Sequence, residues 1–327
     1  MTDKKRRNQL LVGLFCLITL LVGCVKQSTT NQTIMLILDS QDSYHSQMIE
    51  EGVATAISEY DDVSILKRVP DKKNDSDQQT IYLKEAIDLK VETIIFSAVD
   101  IEKNKKELDL IYKKGIKLIM IDSFLSDPYE HKYIGTNNKE AGELAGKAVI
   151  QKLGKKAKIG ILNFEDRSTS GQEREKEQAF YDFIDQFSTI EIIEKKLSWS
   201  DSETVQLLTE EMLDKYPEMD GIVAFNERTT IGAGRAIKIK KLQDEVAVIG
   251  FDSQKECIEL LEDESIDALI VQNPFAIGYL SIQQALNPAE NKKIAEPMFT
   301  EVEWITKKNM YQSNKEKFLF PFSPYSP

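Results

Sequence analysis

The sequence predicts an α/β chain built on doubly wound parallel sheets. Three observations carry this: short apolar runs that stop abruptly on polar groups, helix-like segments alternating with them, and two successive series of such units within 327 residues. Val246 to Phe251 is one apolar run, ending at Asp252, and Ile266 to Val271 is another, ending at Gln272, Asn273 and Pro274. Runs of that length separated by a helix-like segment are the mark of strands covered on both faces, as in a parallel sheet. Ligands of such sheets collect at the carboxyl ends of the strands, so Asp252 and Gln272 are the first two candidates for a site.

The elements follow in order. Thr33 to Leu38 is a strand breaking into Asp39-Ser40-Gln41-Asp42-Ser43, and a helix follows with Met48, Ile49, Val53, Ala56, Ile57 and Tyr60 at helical spacing. Val63 to Leu66 is the next strand, Asp71 to Gln79 a surface loop and Ile81 to Leu89 a helix. Strands Thr93 to Ser97 and Lys117 to Ile121 flank a Lys-rich helix with Gly115 at its C-terminal cap. The second series opens with helix Lys139 to Leu153, capped by Asn137 or Asn138. It continues with strand Lys158 to Leu162, helix Gly171 to Phe187, strand Ile190 to Lys195, helix Ser202 to Lys215 and strand Gly221 to Phe225. Such alternation is the pattern of a doubly wound fold.

The amino terminus is set apart. Lys4, Lys5, Arg6 and Arg7 precede an apolar run from Leu10 to Gly23, short of the ~20 residues a spanning helix needs. A positive start, a short apolar stretch and small residues before a cut describe a secretory signal over 1–23. With Cys24 directly after Leu21-Val22-Gly23, the segment resembles a bacterial lipoprotein signal, which implies cleavage and lipidation of Cys24; an uncleaved anchor is the alternative. Residues 24–32 are polar and small, suiting a tether. Cys16 leaves with the signal and Cys24 is the anchor, so Cys257 is alone and no disulfide is expected in the mature chain. The balance is acidic, 42 Lys and Arg against 54 Asp and Glu, and more so without the signal, which makes nucleic acid a poor partner.

Five segments, IDSFL, YIGTNNKEAGELAG, AFNERTTIGAG, VIGFDS and VQNPFAIGY, occur in the order and at the spacing of a known family. On these the chain resembles the type I periplasmic binding proteins, in the ribose-binding-like branch shared with the effector domains of LacI-type repressors. The resemblance implies two α/β lobes, each a doubly wound parallel sheet, joined by a three-strand hinge, with ligand in the cleft between them. It puts the crossovers near Asn137, Gln272 and Pro297. The lobes would be 33–137 with 273–297, and 138–272 with 298–327.

The same resemblance distributes site roles. Asp122, ending KLIMI, would accept hydrogen bonds from vicinal sugar hydroxyls, with a turn or helix-capping aspartate as the alternative. Ser123 departs from the arginine that ribose binders carry, which puts ribose in doubt. Arg174 would bridge ligand oxygens, although Glu177 and Gln178 break the family's register there; a solvated surface arginine is the alternative. Trp199 would stack on a sugar ring or else belong to the core. Asn226 and Gln272 can both donate and accept, and Asn226 could also cap a helix. In the first loop, where the family often has paired aromatics, this chain offers Asp39, Ser43, Tyr44 and His45, with Tyr44 or His45 closing over the ligand.

Gly232-Ala233-Gly234 lacks the third glycine and the βαβ start of a dinucleotide site and reads as helix packing. With two histidines, His45 and His131, a His/Cys zinc cluster is not expected, nor is any cofactor. The expected protein is a monomeric, lipid-anchored, extracytoplasmic binder of a sugar or sugar-like molecule, not an enzyme. It would deliver its ligand to an ABC permease or present it to a membrane histidine kinase or chemoreceptor. A LacI-type repressor shares the fold but is opposed by the signal segment, the missing helix-turn-helix and the acidic balance.

Overall fold

The computed structural model describes residues 32–41, 43–72, 75–123, 125, 131–163, 172–198, 201–287 and 296–320. The expected signal, Cys24 and all of the tether but Gln32 lie outside them. The first lobe runs β1 (Gln32–Ile37), α1 (Tyr44–Ile57), β2 (Val63–Arg68), α2 (Ser76–Leu89), β3 (Thr93–Phe96), α3 (Ile101–Lys113), β4 (Lys117–Ile121) and β5 (Lys132–Thr136). The second runs α4 (Asn138–Leu153), β6 (Ala157–Asn163), α5 (Gln172–Ile184), β7 (Ile190–Leu197), α6 (Ser202–Lys215), β8 (Gly221–Ala224), α7 (Glu227–Lys240), β9 (Ala247–Phe251), α8 (Lys255–Glu262) and β10 (Ala268–Val271). The chain returns through α9 (Pro274–Leu286) and β11 (Met298–Thr300), then ends in β12 (Glu303–Ile305) and α10 (Ser313–Leu319).

Two six-stranded sheets result, ordered β11-β5-β4-β3-β1-β2 and β12-β10-β9-β8-β6-β7. Every pairing is parallel except that of β12 with β10. Both faces of each sheet are covered, which explains the unbroken apolar runs. Along β1, Met35 and Ile37 enter one core cluster while Ile34 and Leu36 enter another on the opposite face. Along β10, Leu269 and Val271 face one way and Ala268 and Ile270 the other. Alternation of apolar and polar residues is lost because neither face meets water.

The strand β5 does not read as an apolar run, since Lys132 and Thr136 bound it, yet all five of its residues are buried. Lys132 is accommodated because its ammonium reaches Gln284 Oε1 at 2.6 Å. The returning α9 docks on α1 nearly backbone to backbone. A Cβ on Gly52 would lie 2.0 Å from Phe275 O, and one on Gly278 the same distance from Ile49 O, so only glycine permits this packing. Gly232 and Gly234 similarly admit Val205 of α6 and Leu260 of α8 against α7, the helix-packing role expected of them.

The sheets exchange the chain three times. Asn137 lies between β5 and α4, where its side chain caps α4 by accepting from Glu140 N–H at 3.2 Å. Gln272 and Asn273 lie between β10 and α9, and Asn273 caps α9 by accepting from Ala276 N–H at 3.0 Å. The third crossing was expected near Pro297, with 298–327 in the second lobe. That boundary moves: Met298 to Thr300 pair with Ile134 to Thr136 in the first sheet, so the chain crosses at Glu301 and Val302.

Candidate functional site

The site is built from residues that follow the central strands. In the first lobe, β4 ends at Ile121 and Asp122 takes a left-handed backbone, φ 59°. In the second, β9 ends at Phe251 and Asp252 does the same, φ 72°. Left-handed geometry is uncommon outside glycine and is tolerated best by Asp and Asn, whose short side chains bond locally. Each bend is fixed by a hydrogen bond to the adjacent strand: Asp122 N–H to Ile134 O and Asp252 N–H to Ile270 O, both 3.1 Å. Each aspartate is followed by serine. Two carboxylates are thereby held at equivalent places in the two lobes.

Their surroundings differ. Asp252 Oδ1 accepts from Gln272 Nε2 at 2.7 Å, and Oδ2 accepts from Glu227 N–H at the start of α7 at 3.1 Å. Gln272, at the second crossing, thus ties this site to the hinge. Asp122 Oδ2 lies 2.7 Å from His45 Nε2. His45 and Tyr44 are the first residues of α1, whose N-cap is Ser43, and Ser46 Oγ donates to Asp39 Oδ1 at 2.8 Å. The first loop is therefore gathered around Asp39 on one side and Asp122 on the other.

The lobes meet here. Tyr44 of the first lobe faces the Ser253 hydroxyl and the Asp252 carboxylate of the second. Burial raises the Tyr44 phenol above its usual value, partly offset by Ser253. For His45, burial on its own would lower the pKa. The charge of Asp122 and its hydrogen bond, then the charges of Asp252 and Asp39, outweigh burial and hold it at about 9. Among the described residues no group of three or more His, Cys, Asp or Glu is arranged to hold a metal ion.

Asn226 caps α7, the alternative foreseen for it. Its Oδ1 accepts from Thr229 N–H at 3.1 Å in a capping box on α7, while its buried Nδ2 has no protein partner. A buried donor without an acceptor costs roughly 1–3 kcal/mol, which a ligand oxygen would recover. Ser123, where ribose binders carry an arginine, ties two strand ends together. It is fully buried, accepts from Ala98 N–H at 2.8 Å and donates to Ile121 O at 3.3 Å, binding the ends of β3 and β4 together.

Arg174 is exposed on α5, and the buried cation of that helix is Lys176. Lys176 Nζ lies 5.2 Å from the centre of the Phe251 ring and 3.5 Å from Phe225 O, beneath the residues that precede Asp252 and Asn226. Glu177 beside it accepts from Asn163 Nδ2 at 2.7 Å and from Tyr181 and Lys195. Helical spacing could have distinguished the two cations: 176, 180 and 184 lie on one face, and Phe180 and Ile184 are buried. Trp199 lies outside the described residues. A separate polar cavity of about 470 Å³, lined by residues such as Asp214, Tyr216, Asp220 and Lys240, opens at the amino ends of β8 and β9, opposite Asp252.

The family model for the periplasmic binding protein domain matches residues 34–293. The chain belongs to that family. Among curated relatives, the ribose import binding protein RbsB of Bacillus subtilis is 24% identical over 240 residues, covering 73% of this chain and 77% of that protein. Among solved structures, an ABC transporter solute-binding protein from Agrobacterium vitis with bound D-fucose superposes with a TM-score of 0.80 at 28% identity, over 88% of this chain and 99% of that one. A carbohydrate transporter solute-binding protein from Agrobacterium radiobacter in complex with D-arabinose gives 0.79 at 23% identity, over 89% and 100%. The two-lobed α/β fold of the family is the fold seen here. No helix of the described residues is long and apolar enough to cross a membrane.

Proposed function

We propose that the protein is an extracytoplasmic solute-binding protein, tethered through a lipidated Cys24, that closes its lobes on a sugar or similarly hydroxylated small molecule and delivers it to an ABC permease without chemical change. The observation that carries this reading is the pair of strand-end carboxylates, Asp122 and Asp252, each fixed by a left-handed bend and offered from opposite lobes beside Asn226, Gln272, Tyr44 and His45. Carboxylates and amides at fixed positions match the mixed donors and acceptors of adjacent hydroxyls, and each charge-assisted bond contributes roughly 1.5–3 kcal/mol. Sugars bound to the solved relatives support the ligand class.

Closure follows from the same layout. A ligand touching only Asp122 would bind open and closed forms alike and shift nothing; one that also engages Asp252 favours the closed form. Delivery to a permease rests on the curated relative, an import binding protein. A thermal-shift screen of the mature domain against pentoses, hexoses and polyols tests the reading. A rise in Tm with one or a few of them is expected, because a ligand bound only by the folded state stabilises it. Silence across the whole panel would remove sugars as the ligand class.

A further inference from the structure

The two strand-end carboxylates share a backbone setting but have different resident partners. Asp252 is met by neutral donors, the Gln272 amide and the Glu227 N–H. Asp122 is met by an imidazole at 2.7 Å, and that imidazole stands among carboxylates from three elements: Asp122 after β4, Asp39 after β1 and, from the other lobe, Asp252 after β9. Those charges outweigh the effect of burial and keep the ring protonated up to about 9. A cation that belongs to the protein therefore stands in the cleft at neutral pH.

We propose that His45 tunes the charge specificity of the cleft: standing beside Asp122 it offsets part of the pull of the cleft carboxylates on an ammonium-bearing ligand and so favours the neutral polyhydroxylated one. The proposal rests on the sugar-binding reading above. A carboxylate has two oxygens and about four acceptor positions, so a ligand hydroxyl can donate to Asp122 while His45 keeps its contact. An ammonium brought to the same carboxylate would come within several ångströms of the imidazolium in a partly desolvated space. At roughly 6 Å such repulsion weakens binding by about tenfold or more. Asp122, Asp252 and Asp39 attract the same ammonium, so the contribution of His45 is the difference between the wild type and a variant without its charge. With a neutral side chain at position 45, the three carboxylates face the ligand without that cation, and the preference narrows or reverses.

Two measurements test this. NMR of the histidine-labelled mature domain, with His45→Gln used to assign the ring, should show His45 protonated through neutrality and titrating near 9. Titration at or below the ordinary value of ~6.5 overturns the proposal. Calorimetry then compares D-galactose, D-glucose and D-mannose with their 2-amino-2-deoxy counterparts. At about pH 6, where the amino sugars are protonated, His45→Gln should shift the ratio of neutral to ammonium affinity by about tenfold or more toward the ammonium member of each pair. His45→Phe serves as a second neutral variant, with circular dichroism checking that both are folded. A ratio unchanged in both variants refutes the role of His45 while leaving the sugar-binding reading intact. Failure of these pairs and of every sugar in the thermal-shift screen removes that reading and this ligand assignment together.

Discussion

Asp122 and Asp252 are the same device made twice, and the contrast between them separates what the fold supplies from what the sequence tunes. Each ends a buried strand, takes a positive φ, donates its N–H to the neighbouring strand at 3.1 Å and precedes a serine. Positive φ in a non-glycine residue costs of order 1–3 kcal/mol and persists where surrounding structure dictates it. The partners then diverge. Asp252 is held by an amide at the hinge and a helix N-terminus, both neutral, whereas Asp122 meets a titratable ring from the first turn of α1. The second-lobe site is fixed in charge and coupled to the hinge; the first-lobe site depends on His45.

Removing either carboxylate should have the largest effect. Asp122→Ala and Asp252→Ala are each expected to weaken ligand binding by about 100-fold or more, through lost charge-assisted bonds, with far-ultraviolet circular dichroism unchanged. Next comes pH. The folded pKa of His45 is raised to about 9 from 6.5, so its stabilisation is complete below about 6.5 and is lost as pH rises through 9. Denaturant titrations should therefore show stability falling by up to about 3 kcal/mol across that window. Asp122→Asn should flatten this dependence and Asp252→Asn should only reduce it, because Asp122 contributes most to the upward shift.

A smaller effect tests the hinge side. Gln272→Ala leaves Asp252 with the Glu227 N–H and should weaken binding by about tenfold in calorimetry, in line with loss of one hydrogen bond to a charged group. The smallest is expected at Ser253, which faces Tyr44 across the cleft and donates to Phe318 O at 3.3 Å. Ser253→Ala should weaken binding by no more than about fivefold, the scale of one neutral hydrogen bond. An effect as large as that of Asp252→Ala would mean that lobe contact, not the carboxylate, dominates closure.

Much of this was legible in the residues because burial on both faces writes itself as apolar runs. That is why Asp252, Asp122 and Gln272 are predicted at strand ends from the residues alone. What escaped notice did so for physical reasons. Strand β5 carries a buried lysine and a threonine, whose acceptability depends on partners such as Gln284, far away in sequence. Strands β11 and β12 have three residues each, too few for a pattern, so the sequence puts the last crossing a few residues early. Arg174 and Lys176 are alike in chemistry, and only their position relative to Phe180 and Ile184 tells which is buried. Ser123 stood where the family offers an arginine, but its hydroxyl serves the backbone, a use that residue type alone cannot disclose.

The central claim is that one ligand is gripped from both lobes by the two strand-end carboxylates. Calorimetric titration of the wild type, Asp122→Ala and Asp252→Ala with the sugar giving the largest thermal shift tests it most directly. One saturable site in the wild type, lost in both variants, is the predicted result. Undiminished binding in either folded variant would contradict it.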